Sequence, residues 1–223
     1  MAKLEIACFN LESALIAQEN GADRVELCDE IHLGGTTPNL EIIKQAREQL
    51  TIDLFVMIRP RGGNFEYSDD EFQQMKESIL AIKKLKVDGF VFGILNEDKA
   101  INSIQNKELI ELAKPLPCSF HRAFDEVLNP FQALEEIIYC GFKTILTSGN
   151  ASDVNLGKSQ LKVFVQKANK RINIMPGGGL RSSNLDKIQQ KTKATYFHSS
   201  AITDSSEIAN SVEIQKLKAI LNA

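Results

Sequence analysis

The stretch SFHRAFD, at positions 119–125, places an imidazole, a guanidinium and a carboxylate within five residues of one another. It follows a short apolar run and precedes Pro130, a residue typical of the first turn of a helix. This order predicts the mouth of a strand, where polar side chains can meet a ligand. The alternative interpretation is that Asp125 and Arg122 form an ion pair that only holds a loop, because clustered ionisable groups also serve structure.

The same unit of strand, polar loop and helix recurs along the whole chain. Short apolar runs predict eight strands, over residues 4–8, 24–28, 53–58, 89–93, 117–120, 144–146, 171–175 and 195–198. Helical spacing and capping residues predict eight helices, over residues 11–20, 40–49, 69–85, 106–113, 130–140, 161–169, 185–191 and 207–221. The predicted caps of the first, third and seventh helices are Asn10, Ser68 and Asn184. Strict alternation favours one parallel sheet, and eight units are the number that closes a barrel. The sequence therefore predicts a single TIM-type (β/α)8 barrel domain of the α/β class over residues 1–223, with a doubly wound open sheet as the alternative.

Composition and charge exclude several classes of protein. The chain has 223 residues, of which 43% are hydrophobic and 25% charged, and these are ordinary globular values. Its net charge of -3 provides no basic field for nucleic acid or an anionic membrane. No apolar run approaches the ~20 residues of a spanning helix, and Lys3 and Glu5 come too early for a signal peptide. The four cysteines are widely spaced without a Cys-x-x-Cys pair, which favours a cytoplasmic protein over a disulfide scaffold or a structural zinc site.

Two glutamates stand at interior positions of the first two predicted strands. Because strand side chains alternate, we expect Glu5 and Glu26 to point into the barrel, with Arg59 as their counter-ion. One interpretation is a buried ion network, which is tolerated when it is fully paired. The other is a carboxylate with a raised pKa that serves as acid or base, and this makes Glu26 a candidate catalytic residue.

The polar residues that follow the strands form the predicted binding rim. In a barrel the C-terminal ends of all strands open on one face, and sites gather there. His121 is the candidate acid or base, with Asp125 as its orienter or electrostatic partner. The candidate anion-binding residues are Arg59, Arg61, Arg122, Thr147, Ser148, Gly177, Gly178, Gly179, His198 and Ser199. Arginine binds phosphate or carboxylate bidentately, and many barrels bind phosphate after strands seven and eight, so we expect a small anionic ligand. The alternative for the glycine run is a tight turn.

A metal site is a separate question. Soft or borderline donors are available from Cys8, Cys28, Cys118, Met57, His121 and His198. Copper(I) prefers thiolate and thioether ligands. No pair of these residues has the spacing of a metal motif, and a free buried cysteine is usually a small apolar residue.

Six segments in register resemble one family. They are GADRVELC at 21–28, GGTTP at 34–38, VMIRPR at 56–61, FHRAFD at 120–125, ILTSG at 145–149 and MPGGG at 175–179. From about Leu4 to Ala201 the chain resembles the CutC family, the copper homeostasis proteins. The resemblance implies a TIM-type barrel, a cytoplasmic location, a homo-oligomer (a dimer or larger) and a role in copper tolerance or trafficking, with copper(I) bound by cysteine in some members.

The resemblance also makes Cys28 the first candidate copper ligand. Family members that pair it with a strand-one cysteine have that cysteine where this chain has Ala7. Here the cysteine is Cys8, one position further, so we expect it to face the other way. Two hypotheses follow: a copper homeostasis protein that binds copper(I), or a barrel enzyme of unassigned reaction that acts on a small phosphorylated or carboxylate substrate.

Overall fold

The computed structural model describes residues 2–223 and shows a ring of parallel strands surrounded by helices. The strands are β1 (Lys3–Cys8), β2 (Arg24–Leu27), β3 (Asp53–Met57), β4 (Gly89–Phe92), β5 (Cys118–Phe120), β6 (Thr144–Thr147), β7 (Asn173–Pro176) and β8 (Tyr196–Ser199). The helices are α1 (Leu11–Glu19), α2 (Leu40–Gln49), α3 (Asp69–Lys83), α4 (Ser103–Ala113), α5 (Pro130–Cys140), α6 (Val154–Ala168), α7 (Ser182–Thr192) and α8 (Ser211–Asn222). Short 3₁₀ helices cover Ile31–Leu33 and Arg122–Glu126. Among residues 2–223, none of the helices has the length and apolar character that a membrane crossing needs.

The strands follow one another around the ring in chain order. Each strand pairs in parallel with its neighbours, in the order β7-β6-β5-β4-β3-β2-β1-β8. Within residues 2–223 no backbone ladder joins β7 to β8, although the two strands lie side by side. The predicted barrel is confirmed, as a nearly closed ring, and the open-sheet alternative is excluded because β8 returns to pair with β1.

Alternation along the strands divides the core into two layers. Leu4, Ile6 and Cys8 of β1 belong to the large apolar cluster between strands and helices, whereas Ala7 lines the interior of the barrel. The expectation that Cys8 faces away from the interior is therefore confirmed. Inside the barrel, a smaller apolar cluster contains Cys28, Phe55, Met57 and Val91, with Phe9 packed against it.

Helix starts follow the capping side chains. Asn10 caps α1, and Ser68 forms a reciprocal capping box with Glu71 at the start of α3, as predicted. The predicted start of α6 at residue 161 is wrong, because the Asp153 carboxylate caps the helix seven residues earlier. The predicted cap Asn184 is also wrong, since it lies inside α7, where its side chain accepts a hydrogen bond from the Arg181 backbone at 2.9 Å.

Candidate functional site

The C-terminal ends of the strands enclose a cavity of about 120 Å³. Its apolar wall is formed mainly by Phe9, Met57, Phe65 and Leu146, and its polar wall by Glu26, Arg59, His121, Arg122 and His198. This is the face on which barrel enzymes build their sites. The cavity brings together six of the predicted site residues, the five polar ones and Cys28, from strands β2, β3, β5 and β8 or the loops that follow them.

Three buried polar atoms in the cavity wall have no hydrogen-bond partner within residues 2–223. They are Oε1 of Glu26, Nε of Arg59 and Nε2 of His121. Buried polar groups are nearly always paired, and each one left unpaired costs about 1–3 kcal/mol. The Glu26 carboxylate, the Arg59 guanidinium and the His121 imidazole therefore belong to the wall of one cavity, which suits a polar ligand.

Beneath the cavity, Glu5 lies at the centre of a buried network. One of its carboxylate oxygens forms an ion pair with Arg24, and the other accepts a hydrogen bond from Nδ1 of His198 at 2.7 Å. The Arg24 guanidinium also stacks on the Phe55 ring, 4.1 Å from its centroid. Burial raises the pKa of Glu5, but the charge of Arg24 and the contact with His198 outweigh it and lower the pKa to about 2.

The predicted counter-ion of Glu5 is wrong. Arg59 donates instead to the backbone oxygens of Leu33, Gly35 and Gly63, at 2.8, 3.0 and 2.8 Å, and so ties together the loops at the mouth. Arg24 takes the role because it stands directly opposite Glu5 in the β1–β2 register. Neighbouring strands present paired residues on the same face, so the closest cation is one strand away.

Glu26 is the titratable group between this network and the cavity. Its Oε2 lies 3.7 Å from Nε2 of His198, and Oε1 is the unpaired atom described above. The pKa of Glu26 is raised to about 7. Burial is the largest cause of the increase, the positive charge of His198 lowers the pKa, and the negative charge of Glu5 raises it further. Burial lowers the pKa of His198, but Glu26 and Glu5 raise it above its ordinary value. Glu26 therefore changes its charge near neutral pH, which suits an acid or base.

His121 has a fixed tautomer. It caps the 3₁₀ helix Arg122–Glu126, where its Nδ1 accepts a hydrogen bond from the Ala123 backbone at 3.3 Å. Burial, and then the charge of Arg59, lower the pKa of His121 to about 3. The imidazole is thus neutral at physiological pH and carries its proton on Nε2, which belongs to the cavity wall.

Asp125 lies apart from His121 and holds a loop. Its carboxylate accepts hydrogen bonds from the backbone of Ser148 and Asn150, at 3.0 and 3.1 Å, from Nε of Arg122 at 2.8 Å, and from the Thr147 hydroxyl. These contacts tie the 3₁₀ helix to the loop after β6. The ion pair of Asp125 with Arg122 fits the alternative interpretation of the 119–125 stretch, while His121 and Arg122 also line the cavity.

Arg122 reaches from this loop across to the glycine run. It donates through Nη2 to the Ser148 hydroxyl at 3.0 Å, and a Cβ at Gly178 would lie 3.0 Å from its Cζ. Gly178 has a φ of +94°, a conformation in which glycine is favoured. Gly177 donates from its backbone to Thr147 at 3.0 Å, which joins the ends of β6 and β7. Arg122, Ser148 and Gly178 thus form one candidate anion site at the rim.

Two predicted anion-binding residues have other partners. Arg61 forms an ion pair with Glu71 and donates to backbone oxygens of its own loop, so it does not line the cavity. Ser199 donates to the Leu180 backbone at 2.7 Å and accepts from Arg181 at 3.2 Å. Gly179 is exposed on the outer side of the loop, with its backbone oxygen held by an amide side chain of α7.

Sequence reasoning missed Arg24 and Arg181. The sequence shows that Arg24 and Glu26 lie on the same face of a strand, because they are two residues apart. The position of Arg24 opposite Glu5 depends on the register between β1 and β2. Arg181 follows the glycine run, and its contacts with the loop after β8 are long-range. No local pattern signals those contacts.

The soft donors lie on one side of the cavity. A Cβ at Gly35 would be 3.4 Å from the Cys28 sulfur and 3.7 Å from the terminal methyl of Met57, so the two side chains are neighbours. Burial and the charge of Glu26 raise the pKa of the Cys28 thiol well above its usual range. Donor atoms of Glu5, Glu26 and His198 also lie within 4.8 Å of one another, but both oxygens of Glu5 are already occupied by Arg24 and His198.

Fold and cavity together define a (β/α)8 barrel with a polar cavity at its C-terminal mouth. The family model described as the CutC family matches residues 2–203. The human copper homeostasis protein cutC homolog is 43% identical over 198 residues, which cover 89% of this chain and 72% of the relative. A CutC family protein of Photorhabdus laumondii is 44% identical over 90% of this chain and 80% of its own length. The crystal structure of CutC from Streptococcus agalactiae superposes with a TM-score of 0.87 and 36% identity, covering 91% of this chain and 100% of that one. The chain belongs to the CutC family.

Proposed function

We propose that this CutC-family barrel is an acid–base enzyme that binds a small anionic substrate in the cavity and transfers a proton on it. The observation that carries the proposal is that Glu26, His121 and Arg59 line one cavity and that each has a buried polar atom without a partner in residues 2–223, namely Oε1, Nε2 and Nε. A barrel interior that served only stability would fill this space with apolar side chains.

The roles follow from charge and position. Glu26 is the proton acceptor or donor, because its pKa is raised to about 7. His121 is a neutral hydrogen-bond donor. Arg122, which Ser148 holds in place, and the backbone of Gly178 bind the phosphate or carboxylate of the substrate.

Phosphate binding tests the anion site. We expect inorganic phosphate to shift the backbone NMR signals of Gly178 and Ser148 in the full chain. Arg122→Gln should weaken this binding by roughly tenfold or more, the loss of one charge-assisted hydrogen bond. Arg61→Gln is the matched control, since Arg61 does not line the cavity. Equal phosphate affinity in the Arg122→Gln variant and the unmodified chain would contradict the proposal.

A second candidate function is copper(I) binding, which the neighbouring side chains of Cys28 and Met57 favour, since each carries a sulfur donor. The thiol must lose its proton, and the nearby acceptor is Glu26, whose negative charge raises the pKa of the thiol. The positive charge of Arg59 opposes a cation in this space. Titration of the reduced protein against a competing copper(I) chelator tests the idea, with Cys28→Ser compared with Cys8→Ser, a buried cysteine outside the cavity. Copper affinity that is unchanged by Cys28→Ser would contradict it.

The cytoplasmic location and the homo-oligomer, a dimer or larger, stay predictions from the family resemblance. Sedimentation of the purified full chain would measure the oligomeric state. A sedimentation coefficient that corresponds to a 24.8 kDa particle at all concentrations would contradict the predicted assembly.

A further inference from the structure

The cavity pairs a carboxylate with a neutral imidazole. Glu26 and His121 both line the cavity, and each has a buried atom, Oε1 and Nε2 respectively, without a hydrogen-bond partner in residues 2–223. A base of this kind, beside an uncharged imidazole that donates a hydrogen bond, is the arrangement that enzymes use to remove a proton from carbon next to a carbonyl group. The geometry therefore indicates one kind of proton transfer, the removal of a proton from carbon.

We propose that the substrate is a small α-hydroxy aldehyde or ketone with a phosphate or carboxylate at its far end, and that the reaction is enolisation. This inference rests on the proposed function and assigns its substrate class. The Glu26 carboxylate takes the proton from the carbon beside the carbonyl, and the electron pair of that C–H bond forms the new C=C bond. The carbonyl π pair moves to oxygen, where His121 Nε2–H donates a hydrogen bond to the developing charge. The proton of the adjacent hydroxyl group passes to the former carbonyl oxygen, and Glu26 returns its proton to the former carbonyl carbon, so that the C=C electron pair forms the new C–H bond, the adjacent carbon becomes the carbonyl, and the carboxylate is restored.

The neutral state of His121 suits the oxygen that becomes an enediolate. The N–H group of an uncharged imidazole is a much weaker acid than that of an imidazolium, and its acidity is closer to that of an enediol O–H, so it can stabilise the developing charge through a hydrogen bond. The hydrogen bond from the Ala123 backbone to Nδ1 keeps the proton on Nε2. Burial and Arg59, which lower the pKa of His121 to about 3, exclude the charged form.

The buried network acts as a support for the base. Arg24 holds Glu5, Glu5 holds Nδ1 of His198, and Nε2 of His198 faces Oε2 of Glu26 at 3.7 Å. Because Oε2 of Glu26 faces His198, the other oxygen, Oε1, has no partner in residues 2–223 and is available to the substrate. Arg24, Glu5 and His198 are thus positioning residues, because they act on the substrate through Glu26.

Size and polarity limit the substrate further. The cavity of about 120 Å³ has the volume of about four water molecules, enough for a chain of two or three carbons. Met57 and Leu146 offer an apolar surface to these carbons. Arg122 lies at the edge of the cavity and at the glycine run, so the anionic group of the substrate sits at the rim while its carbonyl end reaches Glu26.

Hydrogen–deuterium exchange on carbon tests the inference. The full chain is incubated in deuterium oxide with dihydroxyacetone phosphate or with hydroxypyruvate, and proton NMR follows the loss of the C–H signal. We expect exchange with at least one of them, and a decrease of at least about 100-fold in Glu26→Gln. His121→Gln should also slow exchange. The exposed residues Glu12 and His32 provide matched controls as Glu12→Gln and His32→Gln, and these variants also exclude a contaminating isomerase.

A binding measurement separates the two proposals. Phosphoglycolohydroxamate, a planar mimic of an enediolate, should bind more tightly than 2-phosphoglycolate and should shift the ¹⁵N signal of His121. If phosphate compounds bind in an Arg122-dependent way, but the hydroxamate has no advantage and neither probe substrate exchanges, the carbonyl inference is overturned and anion binding stands. If none of these compounds binds, the proposed function fails together with the inference.

Discussion

Nδ1 of His198 lies 2.7 Å from Oε1 of Glu5 because the two residues stand directly opposite each other in the β1–β8 register. On the other side of Glu5, the β1–β2 register places Arg24 opposite the same residue. Three ionisable side chains on three adjacent strands therefore meet inside the barrel. The register alone supplies the carboxylate with a hydrogen-bond donor on each flank.

We expect Glu5→Gln to destabilise the protein by about 3–5 kcal/mol, because it leaves the Arg24 charge buried without its partner. Urea denaturation at neutral pH measures the free energy of unfolding. The double variant Glu5→Gln/Arg24→Met, which removes both charges, should recover part of this loss. A double variant as unstable as the sum of its single variants would show that the two residues do not act as a pair.

The same carboxylate has a characteristic pH dependence. The pKa of Glu5 is lowered to about 2, so its stabilising contribution is complete above the pKa of the unfolded chain, near 4.3, and is lost as the pH falls towards 2. The unmodified chain should therefore lose stability relative to Glu5→Gln over this range. Parallel acid-unfolding curves of the two proteins would contradict the assignment.

Glu26→Gln should have the opposite effect. Because the folded-state pKa of Glu26 is raised to about 7, ionisation costs stability as the pH rises from about 4.5, and the cost reaches up to about 3 kcal/mol above pH 7. The Gln variant avoids it, so its stability relative to the unmodified chain should increase between these pH values. Urea denaturation at pH 5 and pH 8 measures the difference, and a constant difference would exclude the raised pKa.

Asp125→Asn should loosen the loop after β6. Asparagine keeps one acceptor oxygen but loses the charge that binds Arg122 and the backbone of Ser148 and Asn150, so we expect a loss of about 2–4 kcal/mol. Amide hydrogen exchange at Ser148 and Asn150 should become faster than in the control Glu126→Gln, which alters the exposed neighbour. Unchanged protection of both amides would contradict the role of Asp125.

Gly178→Ala should weaken phosphate binding roughly tenfold, since the new Cβ would lie 3.0 Å from Cζ of Arg122 and displace a charge-assisted donor. Gly21→Ala is the matched control. Gly21 has a φ of +88°, close to the +94° of Gly178, but its Cβ would meet only Lys218 at 3.7 Å. Both variants should lose about 1–2 kcal/mol of stability from backbone strain. Equal phosphate affinities in the two variants would separate the glycine run from the anion site.

Local patterns were sufficient to predict the barrel and the direction of its interior side chains. The alternation of strand residues placed Glu5 inside and Cys8 outside, because a period of two holds for every strand whatever its neighbours are.

The start of α6 was missed because of a contact between distant parts of the chain. Gly157 weakens the helix signal, yet a Cβ there would lie 1.7 Å from the Ser148 backbone oxygen, so close packing requires this glycine.

The pairing of site residues could not be predicted in the same way. His121 and Asp125 are close in sequence, but the intervening 3₁₀ helix directs one to the cavity and the other to the loop after β6. Arg24 and Glu5 are 19 residues apart and in direct contact. The sequence shows which groups are available on each face, and the register and loop geometry determine which of them meet.

The gap in hydrogen bonding between β7 and β8 determines which part of the rim can move at low cost. Within residues 2–223 the other neighbouring strands are joined by backbone ladders, whereas Asn173–Pro176 and Tyr196–Ser199 can separate slightly without breaking one. The glycine run and His198 lie on the two sides of this seam. A barrel with such a seam can widen at its mouth by separating these two strands alone, so the six central strands need not change their pairing.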